Sequence, residues 1–122
     1  LTMASSVAAG NTVLVTFVMD PATGTVSCGS AGNVYTKDAD IVNGSGTAGV
    51  RTLVFSAPIT TPMVPGDKIT VIHPVAAVRA MSVAEFSGLG ALDRTATATG
   101  TSTLPSSGFA SATSQNPVQP LT

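Results

Sequence analysis

The chain has no tryptophan, one cysteine, one histidine, one tyrosine and one glutamate in 122 residues, and only 9% of its residues carry charge. Each shortage excludes something. A single Cys28 cannot close an internal disulfide, so cysteine arithmetic neither requires nor forbids an oxidising compartment. Five cations against six carboxylates, for a formal net charge of −1, cannot build the basic face that a phosphate backbone demands, and nucleic acid is excluded as a partner. The few acids, bases and nucleophiles provision catalysis thinly, and no metal, cofactor or catalytic residue is expected. No apolar run approaches the ~20 residues of a membrane-spanning helix and no basic segment followed by an apolar one opens the chain, so membrane insertion is not expected. Leu1 rather than Met at the start reads as a processed or trimmed chain.

Hydroxyl groups replace the missing charge: 18 Thr and 13 Ser stand beside 15 Val and 12 Gly. Branching at Cβ suits Val and Thr to a pleated surface, while Gly, Pro, Asn and Asp collect at the turns between. The length allows one hydrophobic core.

Residues 12–19 (TVLVTFVM) form the strongest apolar run and read as a buried central strand. Asp20-Pro21-Ala22-Thr23-Gly24 turns the chain into a short strand at 25–28, and the Gly-rich residues 29–33 lead into a half-exposed strand at 34–40. There, alternation places Val34, Thr36, Asp38 and Asp40 on one face and Tyr35, Lys37 and Ala39 on the other. A flexible loop at 43–49 precedes a strand at 50–57; Pro65-Gly66-Asp67 delivers a strand at 68–73, another follows at 78–86, and 94–99 reads as a last, edge strand. No apolar period of 3.6 appears. The expected fold is therefore all-β, an antiparallel β-sandwich (Ig-like or jelly-roll-like) of about seven to eight strands over residues 1–100. Pro105, Pro117 and Pro120 make 101–122 an extended C-terminal arm.

Candidate sites each have a plain reading. Asp38 and Asp40 read as a solvated strand end, since Ca²⁺ wants roughly six oxygens and no acidic cluster follows. His73, before Pro74, has neither a second His nor a Cys pattern to form a zinc site. Glu85 shares a face with Arg79, Met81 and Val83 and, if partly buried, needs Arg51, Arg79 or Lys68 as partner. A sharper alternative is a Lys to Asn or Asp isopeptide bond assisted by Glu85, which lowers the intact mass by one ammonia or one water. Asn43-Gly44-Ser45 matches a glycosylation sequon. Cys28 reads as a small buried hydrophobe; Met3, Met19, Met63 and Met81 read as core filler, with Met63 alternatively a contact on another subunit.

Residues 7–12 (VAAGNT), 31–36 (AGNVYT), 65–71 (PGDKITV) and above all 84–89 (AEFSGL) resemble a Thr/Gly-rich β-sandwich module of secreted bacterial surface proteins and phage-encoded structural proteins. The resemblance covers about residues 7–115 and brings no catalytic residues. It implies an extracellular location, on a virion or a cell surface, and a structural or adhesive role. After Ser114-Gln115-Asn116 a longer module would continue into further apolar strands, where this chain has Pro117-Val118-Gln119-Pro120.

The surface left by so few ionic groups consists of Thr, Ser, Ala, Gly and Asn, which lose little on burial, whereas Lys and Glu lose solvation and rotamer freedom. The expectation is a non-enzymatic structural subunit that binds copies of itself and other structural subunits through its C-terminal arm: capsid decoration, a tail-associated protein or a cell-surface filament. The alternative is an adhesin or carbohydrate-binding module, for which aromatics at 4% without Trp supply few stacking rings.

Overall fold

The computed structural model describes residues 1–100 and 111–113. Strands β1 Thr12–Met19, β2 Ser27–Gly29, β3 Thr36–Asn43, β4 Val50–Pro58, β5 Thr70–Ile72 and β6 Arg79–Phe86 follow one another, with a single 3₁₀ turn among the described residues at Gly46–Ala48. Four make one antiparallel sheet in the order β3-β4-β1-β6, and β2 pairs with β5 in a second.

The apolar run of β1 is central, as its composition implies: it pairs along its whole length with β4 on one side and β6 on the other. Alternation along β1 sends Val13, Val15, Phe17 and Met19 to one face, where they are buried with Leu53, Phe55 and Ala57 of β4. Val7, Val26, Ile59, Met63 and Ile69 complete this core from outside the four-stranded sheet. The N-terminal segment runs beside 63–69: Val7 and Met63 exchange backbone hydrogen bonds at 2.9 and 3.0 Å, and the Met3 amide donates to the Asp67 carbonyl at 2.8 Å. Between these contacts Pro65 and Gly66 turn the chain, with Gly66 at φ 98° and the Asp67 amide donating to the Val64 carbonyl at 3.1 Å, the geometry that requires glycine at the third turn position.

Several expectations change. The strand expected at 34–40 runs instead as Thr36–Asn43, with a bulge between Lys37 and Ala39. An extra residue there breaks the two-residue period that would have put Asp38 and Asp40 on one face. The described residues hold six strands rather than seven or eight. Residues 94–99 form no ladder, since alternating Thr and Ala bury too little to hold a register. The expected arm at 101–122 lies outside the described residues apart from 111–113.

Each fully buried Leu or Phe of this core stabilises the fold by ~1.5–3 kcal/mol through apolar area removed from water. Leu53→Ala, at a side chain with no exposed surface, is expected to lower the unfolding free energy by ~3 kcal/mol in urea titration. Thr16→Ala, on the exposed opposite face of β1, is expected to change it by ~0.5 kcal/mol or less. Equal losses at the two positions would mean that the faces are assigned the wrong way round.

Candidate interaction surface

A buried cation organises one end of the sheet. Arg51 is 8% exposed at the start of β4, and its guanidinium donates from Nε to Asp40 Oδ1 and from Nη2 to Asp40 Oδ2, both at 2.8 Å. This is the bidentate fork that matches a planar guanidinium to a carboxylate. Nη1 donates to the carbonyls of Ala22 and Gly24, each at 2.9 Å, which ties the loop after β1 to β3 and β4. Lys37 Nζ adds a contact to Asp40 Oδ2 at 2.9 Å. These donors hold the Asp40 carboxyl down at about 2, against an ordinary 3.8, while the carboxylate raises Arg51. Arg51 therefore pairs with Asp40, not with Glu85 as one sequence option had it. The reason is register: the bulge turns Asp40 to the Leu53 side of the sheet, beside Arg51.

Other candidates do not converge. Glu85 is exposed and accepts from Asn11 Nδ2 at 2.6 Å; neither lysine is its hydrogen-bond partner, and Lys37 lies on β3 at the far edge of the sheet. His73 stacks at 5.2 Å from the Phe17 ring, with Nδ1 2.7 Å from the Pro74 carbonyl. Since Glu85 stands opposite Val13, His73 and Glu85 are separated by about four residues along β1, ~13 Å. Burial pushes the Cys28 thiol up to about 11, which keeps it protonated and a poor nucleophile. Among the described residues no three of His, Cys, Asp and Glu come together. Asn43 of the sequon spends its amide on the Gly100 carbonyl at 2.7 Å. Met19 and Met63 are buried in the core, and Met3 and Met81 pack against it; Met63 is thus core rather than exposed surface.

Two polar clips escape a reading of the sequence by residue type. Asn33, 7% exposed, donates to the Thr61 carbonyl at 3.0 Å and accepts from the amides of Thr60 and Thr61, each at 3.0 Å. Asp20 accepts from the amides of Ala77 and Val78 at 2.9 and 3.0 Å, which sets the start of β6. The only signal for either is an Asn after Gly and an Asp before Pro, the usual turn punctuation.

What remains as a surface is the outer face of the four-stranded sheet. The registers bring Thr12, Leu14, Thr16 and Val18 of β1 level with Thr52, Val54, Ser56 and Pro58 of β4, with Ala80, Ser82, Ala84 and Phe86 of β6, and with Thr36, Ala39 and Ile41 of β3. None of these is charged. After β6, Leu89 to Leu92 come back beside Thr12, Leu14 and Pro58, and Gly100 reaches Asn43 at the opposite end of β3. The connecting segment thus passes obliquely from one edge of the sheet to the other. Among the described residues Phe86 is the one ring on this face: Phe17 and Phe55 are in the core and Tyr35 is half-buried with its hydroxyl 3.2 Å from Ser30 Oγ.

No protein-family model, no curated protein and no solved structure matches this chain.

The depressed Asp40 carboxyl gives a pH signature. A group whose folded pKa lies below its unfolded value adds stability above the unfolded value and loses it as pH falls through the folded one. Stability is expected to decline as pH drops from about 4 to about 2. Asp40→Asn is expected to cost on the order of 1–3 kcal/mol at neutral pH by leaving Arg51 underpaired and to flatten that decline; an unchanged acid profile in the variant would assign the loss to other carboxylates.

Proposed function

We propose that the two sheets are the halves of a β-sandwich and that the chain is a non-enzymatic structural subunit of an extracellular assembly, a virion surface protein or a cell-surface filament subunit. The observation that carries this reading is the uncharged outer face of the four-stranded sheet, on which Thr16, Ala80, Ser82, Ala84 and Phe86 remain exposed beside the segment that crosses it. A face of Thr, Ser, Ala and Val gives up little solvation when another subunit covers it, and local backbone bonds satisfy its hydroxyls. A formal net charge of −1 adds little repulsion between copies. The sequence resemblance to Thr/Gly-rich modules of surface and phage proteins supports the same reading. Residues 101–122 are the segment that joins one copy to the next, by backbone pairing that needs no particular side chain.

Sedimentation of the full chain over a range of concentrations tests this. Oligomers are expected, and a chain ended after Gly100 is expected to keep its near-ultraviolet spectrum and lose the larger species. Assembly unchanged by the deletion would remove the arm from the reading. A full chain that stays monomeric and binds glycans on an array would support the adhesin alternative instead.

A further inference from the structure

The two edges of the four-stranded sheet, neither of which pairs with a further strand among the described residues, differ. β3 is guarded: it carries a bulge, and Lys37, Asp38 and Asp40 crowd the irregularity. Bulges and charges are the usual devices that stop an edge from accepting another strand. β6 has no bulge. It runs eight residues in unbroken register against β1, without proline or glycine. Its other edge takes no backbone hydrogen bond among the described residues. Its two charged residues, Arg79 and Glu85, stand near opposite ends and on the same face as Met81 and Val83. Both are exposed, and among the described residues neither forms an ion pair, since those present are Lys37–Asp40 and Arg51–Asp40.

We propose that β6 is the site of a two-fold, antiparallel contact with β6 of a second copy, centred on Ser82, which joins two four-stranded sheets into one of eight strands. The proposal rests on the reading of this chain as a self-assembling subunit and says where two copies meet. Centring the axis on Ser82 sets each residue opposite the one equally far on the other side of it. Arg79 then faces the second copy's Glu85, Ala80 faces Ala84 and Met81 faces Val83. Just beyond, Val78 faces Phe86; these side chains are 69% and 42% exposed. Every opposed pair shares a face, as a continuous sheet requires. Moving the axis half a residue sets Arg79 against Phe86 and Glu85 against Ala80, so that inward residues oppose outward ones and both charge pairs vanish. Backbone hydrogen bonds and the apolar pairs supply the affinity; the two ion pairs, each weak at a surface, select the register. An isologous contact closes on itself and leaves the arm to link one pair to the next.

Charge reversal tests the contact on the full-length chain. Arg79→Glu sets two carboxylates against each other at both ends of the contact, and Glu85→Arg does the same with two guanidinium groups. Each variant alone is expected to weaken dimerisation by ~tenfold or more, as like charges directly opposite do. An equimolar mixture is expected to dimerise more tightly than either variant alone, because the mixed pair sets like charges against each other at neither end. Ser82→Cys in a Cys28→Ala background gives a second readout, since opposed Cα atoms ~4.5–5.5 Å apart lie within disulfide reach. Mild oxidation is expected to link two copies. Ala80→Cys, ~13 Å from its own counterpart across the axis, is expected not to link. Wild-type oligomers with both reversals indifferent and no link at Ser82→Cys would overturn the β6 contact while leaving self-assembly standing. A wild-type chain that is monomeric at every concentration would overturn both.

Discussion

The register between β1 and β4 is the constraint on which the rest of the molecule depends. From Thr12 opposite Pro58 to Met19 opposite Arg51 it runs without a shift. A slip of one residue would carry Val13, Val15 and Phe17 out of the core and expose the whole set. The same register places Arg51 at the end of the inner face, beside Met19 rather than in the middle of the apolar layer. Its guanidinium can therefore reach Asp40 on β3 and the loop carbonyls of Ala22 and Gly24 without leaving a nitrogen stranded. Packing along the strand and ion pairing at its end are two results of one alignment.

A protein with so few ionic groups uses them as clips. Arg51 joins β3, β4 and the 22–24 loop; Asp20 joins the end of β1 to the start of β6; the amide of Asn33 joins the turn before β3 to residues 60 and 61 in the same way. Each side chain satisfies backbone groups that irregular loops leave without ladder partners. No buried side-chain nitrogen or oxygen among the described residues is left unpaired. Little charge remains for the sheet surface, so its outer face is made of hydroxyls and apolar groups.

The strands with strong local patterns are the ones legible from sequence. β1, β4 and β6 sit within a residue or so of where their apolar and β-branched runs place them, and the Pro65-Gly66 turn needs nothing beyond its two residues. β3 is legible in existence but not in facing, because a bulge is a tertiary adjustment to the neighbouring strand and leaves no mark in Lys37-Asp38-Ala39. The partner of Arg51 is misjudged for that reason: strict alternation would group Asp40 with Asp38 on a solvated end. The N-terminal segment, paired with 63–69 by scattered bridges at Thr2 and Val7, has no periodicity to read. Asn33 looks like any turn asparagine until Thr60 and Thr61 are brought against it by contacts made elsewhere in the chain.

The shortage of charge also bears on the sheet edges. Natural sheets commonly keep their edges apart with lysine, and this chain has two lysines in all. One, Lys37, lies on β3 and is engaged with Asp40; the other, Lys68, precedes β5. No lysine protects β6, whose side chains between Arg79 and Glu85 are Ala, Met, Ser, Val and Ala. In a soluble monomer such an edge is a hazard, since any strand of suitable length could add to it. In a subunit it would become specific if the correct addition were the one that matches charge, and Arg79 and Glu85 at mirrored distances from Ser82 would impose that condition. The composition that leaves the outer face uncharged therefore leaves the β6 edge without a strand partner among the described residues, and the two charges of that strand stand near its opposite ends.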